Sequence, residues 1–260
     1  MPLIIHTIPA FQDNYLWLFH LSDERAAFVV DPGDALPVLK CLEQHDLELA
    51  GILITHHHPD HTGGIKALLT QYDVPVYGPD SAHIPQITQQ LGEGDSITLA
   101  DTKFSVLEIP GHTLDHIAYH AAPNGGNPLV FCGDTLFSAG CGRLFEGSPQ
   151  QMYQSLQKLA ALPDATQIYC AHEYTLSNLA FATAVEPGSQ ALKEKIAADT
   201  QKREQGLPTI PTTLGIERET NPFLRCHLPP VAQAATQHGA RQLQSPIEVL
   251  QEIRLWKDNF

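Results

Sequence analysis

Short apolar runs recur along the first two-thirds of the chain, at residues 3–8, 15–19, 26–30, 51–54, 74–77, 104–109, 117–120, 129–132 and 167–170. Bounded by Gly, Pro, Asn and Asp, they read as β-strands. Segments 35–44, 65–71 and 150–159 carry helical spacing instead, and the first begins just after Asp34, a fitting N-cap. Strands interleaved with helices predict an α/β layered domain in which helices cover sheet faces. From Tyr174 onward the rhythm changes. Residues 176–183, 190–205, 231–237 and 246–256 all read as helices, separated by the Pro-containing stretch 207–211 and by Asn221-Pro222, and no strand is expected there. The boundary is therefore placed near Tyr174, dividing an α/β domain, 1–173, from a smaller all-α domain, 174–260.

Charge narrows the partners. The 260 residues hold 15 Lys plus Arg against 29 Asp plus Glu, a net charge of −14. Nucleic acids and anionic membranes need a basic surface and are disfavoured. A small anionic substrate needs only a few local cations. No run of about 18 apolar residues is present, so no transmembrane helix is expected. The first residues read as a strand rather than a signal peptide. Five cysteines, with no Cys-x-x-Cys pair, fit reduced thiols in a cytoplasmic protein, expected to be a monomer.

The histidines change the picture most. The apolar segment Gly51-Ile52-Leu53-Ile54 runs into Thr55-His56-His57-His58-Pro59-Asp60-His61-Thr62-Gly63-Gly64. His56 and His58, two apart, can turn imidazoles toward one ion. Asp60 and His61 bring a carboxylate and a third imidazole toward a neighbouring position. Three later strand ends repeat the setting, leading into Gly111-His112-Thr113, Gly133-Asp134-Thr135 and Ala171-His172-Glu173-Tyr174. Each of these alone is an ordinary turn. Added to a polar cluster that offers a packed core nothing, they indicate a metal site. Imidazoles with a few carboxylates suit Zn²⁺, Mn²⁺ or iron, whereas Ca²⁺ and Mg²⁺ prefer all-oxygen shells; spacing leaves the choice among transition metals open. His57 is expected to point away. His6, His20, His45, His83, His120, His227 and His238 read as ordinary histidines. The cysteines read as core-facing, Cys132 and Cys170 lying at the ends of apolar strands.

His56-x-His58-x-Asp60-His61, with His112, Asp134 and His172 downstream, resembles the metallo-β-lactamase superfamily. The strings 55–64, Phe131-Cys132-Gly133-Asp134-Thr135-Leu136-Phe137, Gly140-Cys141-Gly142-Arg143-Leu144-Phe145-Glu146-Gly147 and Ala171-His172-Glu173-Tyr174-Thr175 resemble the glyoxalase II family, the hydroxyacylglutathione hydrolases. Asn221-Pro222-Phe223-Leu224-Arg225 and Arg254-x-x-Lys257-Asp258-Asn259-Phe260 resemble that family's helical C-terminal domain, so the resemblance spans essentially the whole chain. It implies an αββα sandwich followed by a smaller all-α C-terminal domain, and a binuclear centre. One metal would take His56, His58 and His112, the second Asp60, His61 and His172, with Asp134 bridging. The implied cofactors are two divalent ions, zinc first, with iron or manganese as alternatives. Arg143, Tyr174, Arg254 and Lys257 would approach the substrate. Phe145 departs from the Tyr of some relatives, which removes a hydroxyl contact.

The implied reaction is hydrolysis of S-D-lactoylglutathione, a 2-hydroxyacylglutathione thioester, to glutathione and D-lactate, the second step of methylglyoxal detoxification. Two divalent metals lower the pKa of a shared water toward neutrality. Asp60 and Asp134 are then the catalytic carboxylates, Asp60 orienting the hydroxide. The leaving thiolate, from an acid of pKa about 8.5, departs without a proton donor. Glutathione carries carboxylates, and Arg254 and Lys257, three apart, share a helical face suited to them. A mononuclear-iron persulfide dioxygenase of the same superfamily would keep much of the motif set but leave that pair unexplained. A non-catalytic binding domain would show eroded ligands, and none of the seven positions is eroded.

Overall fold

The computed structural model describes residues 3–123 and 125–260. The chain gathers into two compact units, Met1–Glu108 with Asp115–Gly133, and Ile109–Leu114 with Asp134–Phe260.

The first unit runs β1 (Leu3–Ala10), β2 (Asn14–Leu21), β3 (Ala26–Val30), α1 (Ala35–Gln44), β4 (Glu48–Leu53), the one-turn α2 (Pro59–Thr62), α3 (Ile65–Leu69), β5 (Val76–Gly78), β6 (Gln89–Gln90), β7 (Ser96–Leu99), β8 (Thr102–Glu108), β9 (Ile117–Ala121) and β10 (Leu129–Gly133). Strands β1 to β6 lie side by side in sequence order, antiparallel from β1 to β3 and parallel from β3 to β6. Strands β7 to β10 form an antiparallel meander. Asp34 caps α1 as its sequence suggests, its Oδ1 accepting from the Leu36 amide at 2.9 Å.

Strand β2 explains the layering. All eight of its residues are buried. Successive side chains leave a strand on opposite faces. Leu16 and Leu18 join Val38 and Leu42 of α1 and Ile65 and Leu68 of α3 in one core. Phe19 faces the meander, its ring centroid 5.2 Å from Phe104 and 5.6 Å from Phe131. A strand covered on both faces is largely apolar, as β2 is apart from Asn14 and His20, and each large apolar side chain so buried stabilises the fold by roughly 1.5–3 kcal/mol. Tyr119 crosses the same interface, its hydroxyl donating to the Ile54 carbonyl at 2.7 Å. The unit is thus a helix–sheet–sheet stack.

The second unit carries the hairpin β11 (Leu136–Phe137) and β12 (Gly140–Cys141), then α4 (Pro149–Ala160), β13 (Gln167–Cys170), α5 (Thr175–Val185), α6 (Gln190–Glu204), β14 (Thr212–Thr213), α7 (Leu214–Thr220), α8 (Pro229–Gly239) and α9 (Pro246–Asp258). The four helices expected after Tyr174 coincide with α5, α6, α8 and α9, the second overrunning α6 by one residue. Two elements there depart from expectation. Strand β14 pairs antiparallel with β13, and α7 follows it directly, capped by Thr213. A two-residue strand has no periodicity to read, and Gly215 hides a helix of seven residues.

The string Asn221-Pro222-Phe223-Leu224-Arg225 is structural. Asn221 Nδ2 donates to the carbonyls of Phe137 at 3.0 Å and Gly140 at 2.9 Å, seating the hairpin. Glu217, fully buried, accepts from the Ala139 amide at 2.7 Å. Arg225 forks onto Glu186 through contacts of 2.9 and 3.0 Å. Among the described residues no helix is long and apolar enough to cross a membrane.

Candidate functional site

Strand β4 delivers Thr55 and His56 at its carboxyl end, where parallel sheets place their ligands. His58 then serves as N-cap of α2, with Pro59 in its first turn and Asp60 at the positive end of the helix dipole. His56 and His61 are wholly buried, His58 and Asp60 partly so. His56 Nε2 and His58 Nδ1 stand 3.1 Å apart, and His61 Nε2 stands 3.6 Å from Asp60 Oδ2. Metal–ligand bonds of about 2.0–2.1 Å in a tetrahedron put neighbouring donors about 3.3 Å apart. The spacing therefore suits a small divalent ion.

The remote side of these donors is fixed from behind. His61 Nδ1 donates to Asp31 Oδ2 at 3.0 Å, and Asp31 also accepts from the Thr55 amide and hydroxyl, each at 2.7 Å. A carboxylate behind a ligating imidazole sets its tautomer and raises its basicity. Asp31 is buried with φ of +51°, a conformation a non-glycine residue adopts at a cost. Asn14 Nδ2 donates to Asp60 Oδ2 at 3.0 Å, and His116 stacks on His56 at 4.5 Å. His57 turns to Asp115, 2.9 Å away. Gly33 admits no side chain, since a Cβ there would lie 1.8 Å from the Asp60 carbonyl oxygen.

In the second unit, Asp134 Oδ2 lies 3.3 Å from His172 Nε2 and 3.5 Å from His112 Nε2. One carboxylate oxygen thus stands between two imidazoles, again at coordination spacing. His112 Nδ1 donates to the Arg143 carbonyl at 2.8 Å, and the Phe145 amide returns a bond to the His112 carbonyl at 3.2 Å. Gly142 permits this closeness, for a Cβ would meet the Asp134 carbonyl oxygen at 2.0 Å. His172 stacks on Tyr174 with centroids 4.7 Å apart, and Phe137 abuts both rings edge-on. Glu173 pins the same loop by accepting from the Thr209 amide and hydroxyl.

His112 and Asp134 also line a cavity of about 560 Å³ within this unit, together with Phe137, Cys141, Arg143, Phe145, Tyr174, Arg254, Lys257 and Asp258. The expected substrate-side residues Arg143, Phe145, Tyr174, Arg254 and Lys257 all line this cavity. Arg254 is buried rather than solvated, donating to the Cys141 carbonyl at 2.8 Å and pairing with Asp258 at 3.1 Å. Asp258 also holds Arg143 at 3.4 Å. Lys257 Nζ donates to the Ser177 carbonyl at 3.1 Å. Three cations against two carboxylates, Asp134 and Asp258, leave a local excess of positive charge in an acidic protein. Burial, with the charges of Arg254 and Arg143, lowers the Lys257 pKa. Burial pushes the Cys141 thiol up to about 11, outweighing the opposing pull of Arg254.

Stacked sheets with His and Asp donors at their strand ends define a protein of the metallo-beta-lactamase superfamily, whose family model matches residues 11–172. Residues 173–260 match the hydroxyacylglutathione hydrolase C-terminus. The chain belongs to the hydroxyacylglutathione hydrolase family of that superfamily. It is 50% identical to the hydroxyacylglutathione hydrolase of Nitrosomonas europaea over 98% of this chain and 96% of that one. To the hydroxyacylglutathione hydrolase of Photobacterium profundum it is 52% identical, over 99% and 100%. Among solved structures, ETHE1 from Myxococcus xanthus matches with a TM-score of 0.67 and 25% identity, covering 96% of this chain and 89% of that one. The shared fold and the His/Asp donor sets support binding of divalent metal.

Sequence reasoning missed Asp31, Asn14, His116 and Asp258. Asp31 carried a usable signal, because it follows an apolar strand just as Asp134 does. Asn14, His116 and Asp258 carried none that spacing could reveal.

Proposed function

We propose that this chain hydrolyses glutathione thioesters, S-D-lactoylglutathione first among them, to glutathione and a 2-hydroxy acid. The pocket carries the reading: cations suited to the carboxylates of glutathione share one wall with the metal donors His112 and Asp134. We assign one ion to His56, His58 and His112, a second to Asp60, His61 and His172, and place Asp134 between them. Zinc is the first choice, iron or manganese the alternatives, since all accept imidazole with carboxylate. Divalent ions held by these residues would supply a hydroxide nucleophile at neutral pH and Lewis acidity toward the thioester carbonyl.

The chain's own groups do the rest. Asp60, steadied by Asn14, accepts a hydrogen bond from the attacking oxygen and orients it. Arg143, Arg254 and Lys257 bind the tripeptide carboxylates. The rings of Phe145 and Tyr174 line its path, and Tyr174 adds a hydroxyl. The departing thiolate is stable enough to leave unprotonated. In this reading 1–173 is the catalytic part and 174–260 the substrate-binding part of a cytoplasmic monomer, and the free cysteines fit that reducing compartment.

The test is turnover of S-D-lactoylglutathione by the purified protein, with metal content determined on the same sample. Turnover with two ions per chain is expected. A protein holding both ions and showing no hydrolysis overturns the proposal.

A further inference from the structure

The first unit gathers a second set of donors, away from the ones assigned above, from histidines that the sequence pattern reads as ordinary. His6 stands on β1, Cys41 near the end of α1, and His45 is the residue that caps that helix. One donor atom from each lies within 4.8 Å of the other two. The rings of His6 and His45 are 4.1 Å apart between centroids. His6 and Cys41 are partly buried, and His45 is exposed. The carboxyl end of a helix carries partial negative charge, which favours a cation at this corner.

A hydrogen-bonded chain fixes the tautomers. The Leu21 carbonyl can only accept, so His20 Nδ1, 2.6 Å from it, carries the proton. With that proton on Nδ1, the His20 Nε2 is the acceptor open to His6 Nε2, 3.0 Å away, which donates to it. His6 is left with its lone pair on Nδ1. A ligating imidazole oriented by a hydrogen bond on its other nitrogen is the usual arrangement in metal sites. Burial together with His45 and His20 lowers the pKa of His6, which keeps the ring neutral and able to ligate. Burial raises the Cys41 thiol, so its proton is released to solvent only as an ion takes its place.

We propose that His6, Cys41 and His45 form a third metal site, for a borderline or thiophilic transition ion of the Zn²⁺ class. Two imidazoles and a thiolate satisfy three positions of a tetrahedron, and the exposed side leaves the fourth to water. An ion bound there ties the end of α1 to the edge strand β1. The inference stands independently of the thioesterase reading, because none of its residues belongs to the assigned catalytic set.

Cobalt tests it. None of the donors assigned to the other two ions is a cysteine, so a thiolate-to-Co²⁺ charge-transfer band reports this site alone. Protein dialysed against Co²⁺ should show the band, and added Zn²⁺ should displace it. Cys41→Ser should abolish it, while His45→Ala, at an exposed position, should weaken Co²⁺ binding about tenfold or more. Hydrolysis of S-D-lactoylglutathione by both zinc-loaded variants should match that of the unaltered chain. Absence of the band at saturating Co²⁺, or a band that survives Cys41→Ser, overturns the proposal.

Discussion

In the first unit, His56, His58, Asp60 and His61 occupy one short stretch, carried by a strand end and a single helical turn. In the second, His112, Asp134 and His172 arrive from three separated strand ends, and the pocket beside them is completed by Arg254 and Lys257 near the end of the chain. Local backbone geometry and the Asp31 carboxylate set the first group. The second depends on tertiary packing: the Asn221-seated hairpin, the ring stack of Phe137, His172 and Tyr174, and the Asp258 tether. Contiguous donors need one well-placed support from behind, whereas dispersed ones need a whole scaffold.

The strongest way to break this comparison is Asp134→Ala. It removes the oxygen standing between two imidazoles, so turnover should fall by more than the roughly 10²–10³-fold that loss of one transition-state donor costs. Metal content should fall in the same sample; full occupancy would show that Asp134 is not a ligand. Asp31→Asn probes the support behind the donor loop. Metal affinity or activity should drop by about 10–100-fold, read by competition with a chelator, and unchanged affinity would mean the loop is held without it.

Lys257→Ala should act on the substrate side, raising KM by about tenfold or more, as expected for a lost charged hydrogen bond, with kcat little changed. The pH profile sharpens this. Because the Lys257 pKa lies below its ordinary 10.5, the ammonium is lost earlier than at a surface lysine. Thus kcat/KM should fall as pH rises into that range, and Lys257→Arg should move the fall upward. The smallest effect is expected of Phe145→Tyr, which restores a hydroxyl at the pocket mouth and should lower KM by about 2- to 10-fold. An unaltered KM would place the ring out of reach of the substrate's polar groups.

The two regions also differ in how far their sequence could be read. The strand–loop string through His56 to His61 is legible because its donors are neighbours and follow an apolar run. His112, Asp134 and His172 could be picked out only as echoes of the same strand-end setting. Helices of ten or more residues are long enough to read from their composition and bounding turns; β14, α7 and the one-turn α2 are too short. Asp31 follows strand β3 as Asp134 follows β10, but the Pro32-Gly33 after it makes this buried left-handed carboxylate look like turn punctuation. Spacing puts Arg254 on one helical face with Lys257, and only packing reveals that it is buried against Cys141 and Asp258.

Cys141 has a consequence of its own. A thiol on the wall of a pocket built for thioesters invites transacylation, in which the acyl group passes to the protein, and mixed disulfides with the released tripeptide. With its pKa pushed up to about 11, the thiol stays protonated at neutral pH. Burial therefore works as chemical insulation: the wall keeps the compact, polarisable packing of sulfur while its nucleophile stays switched off.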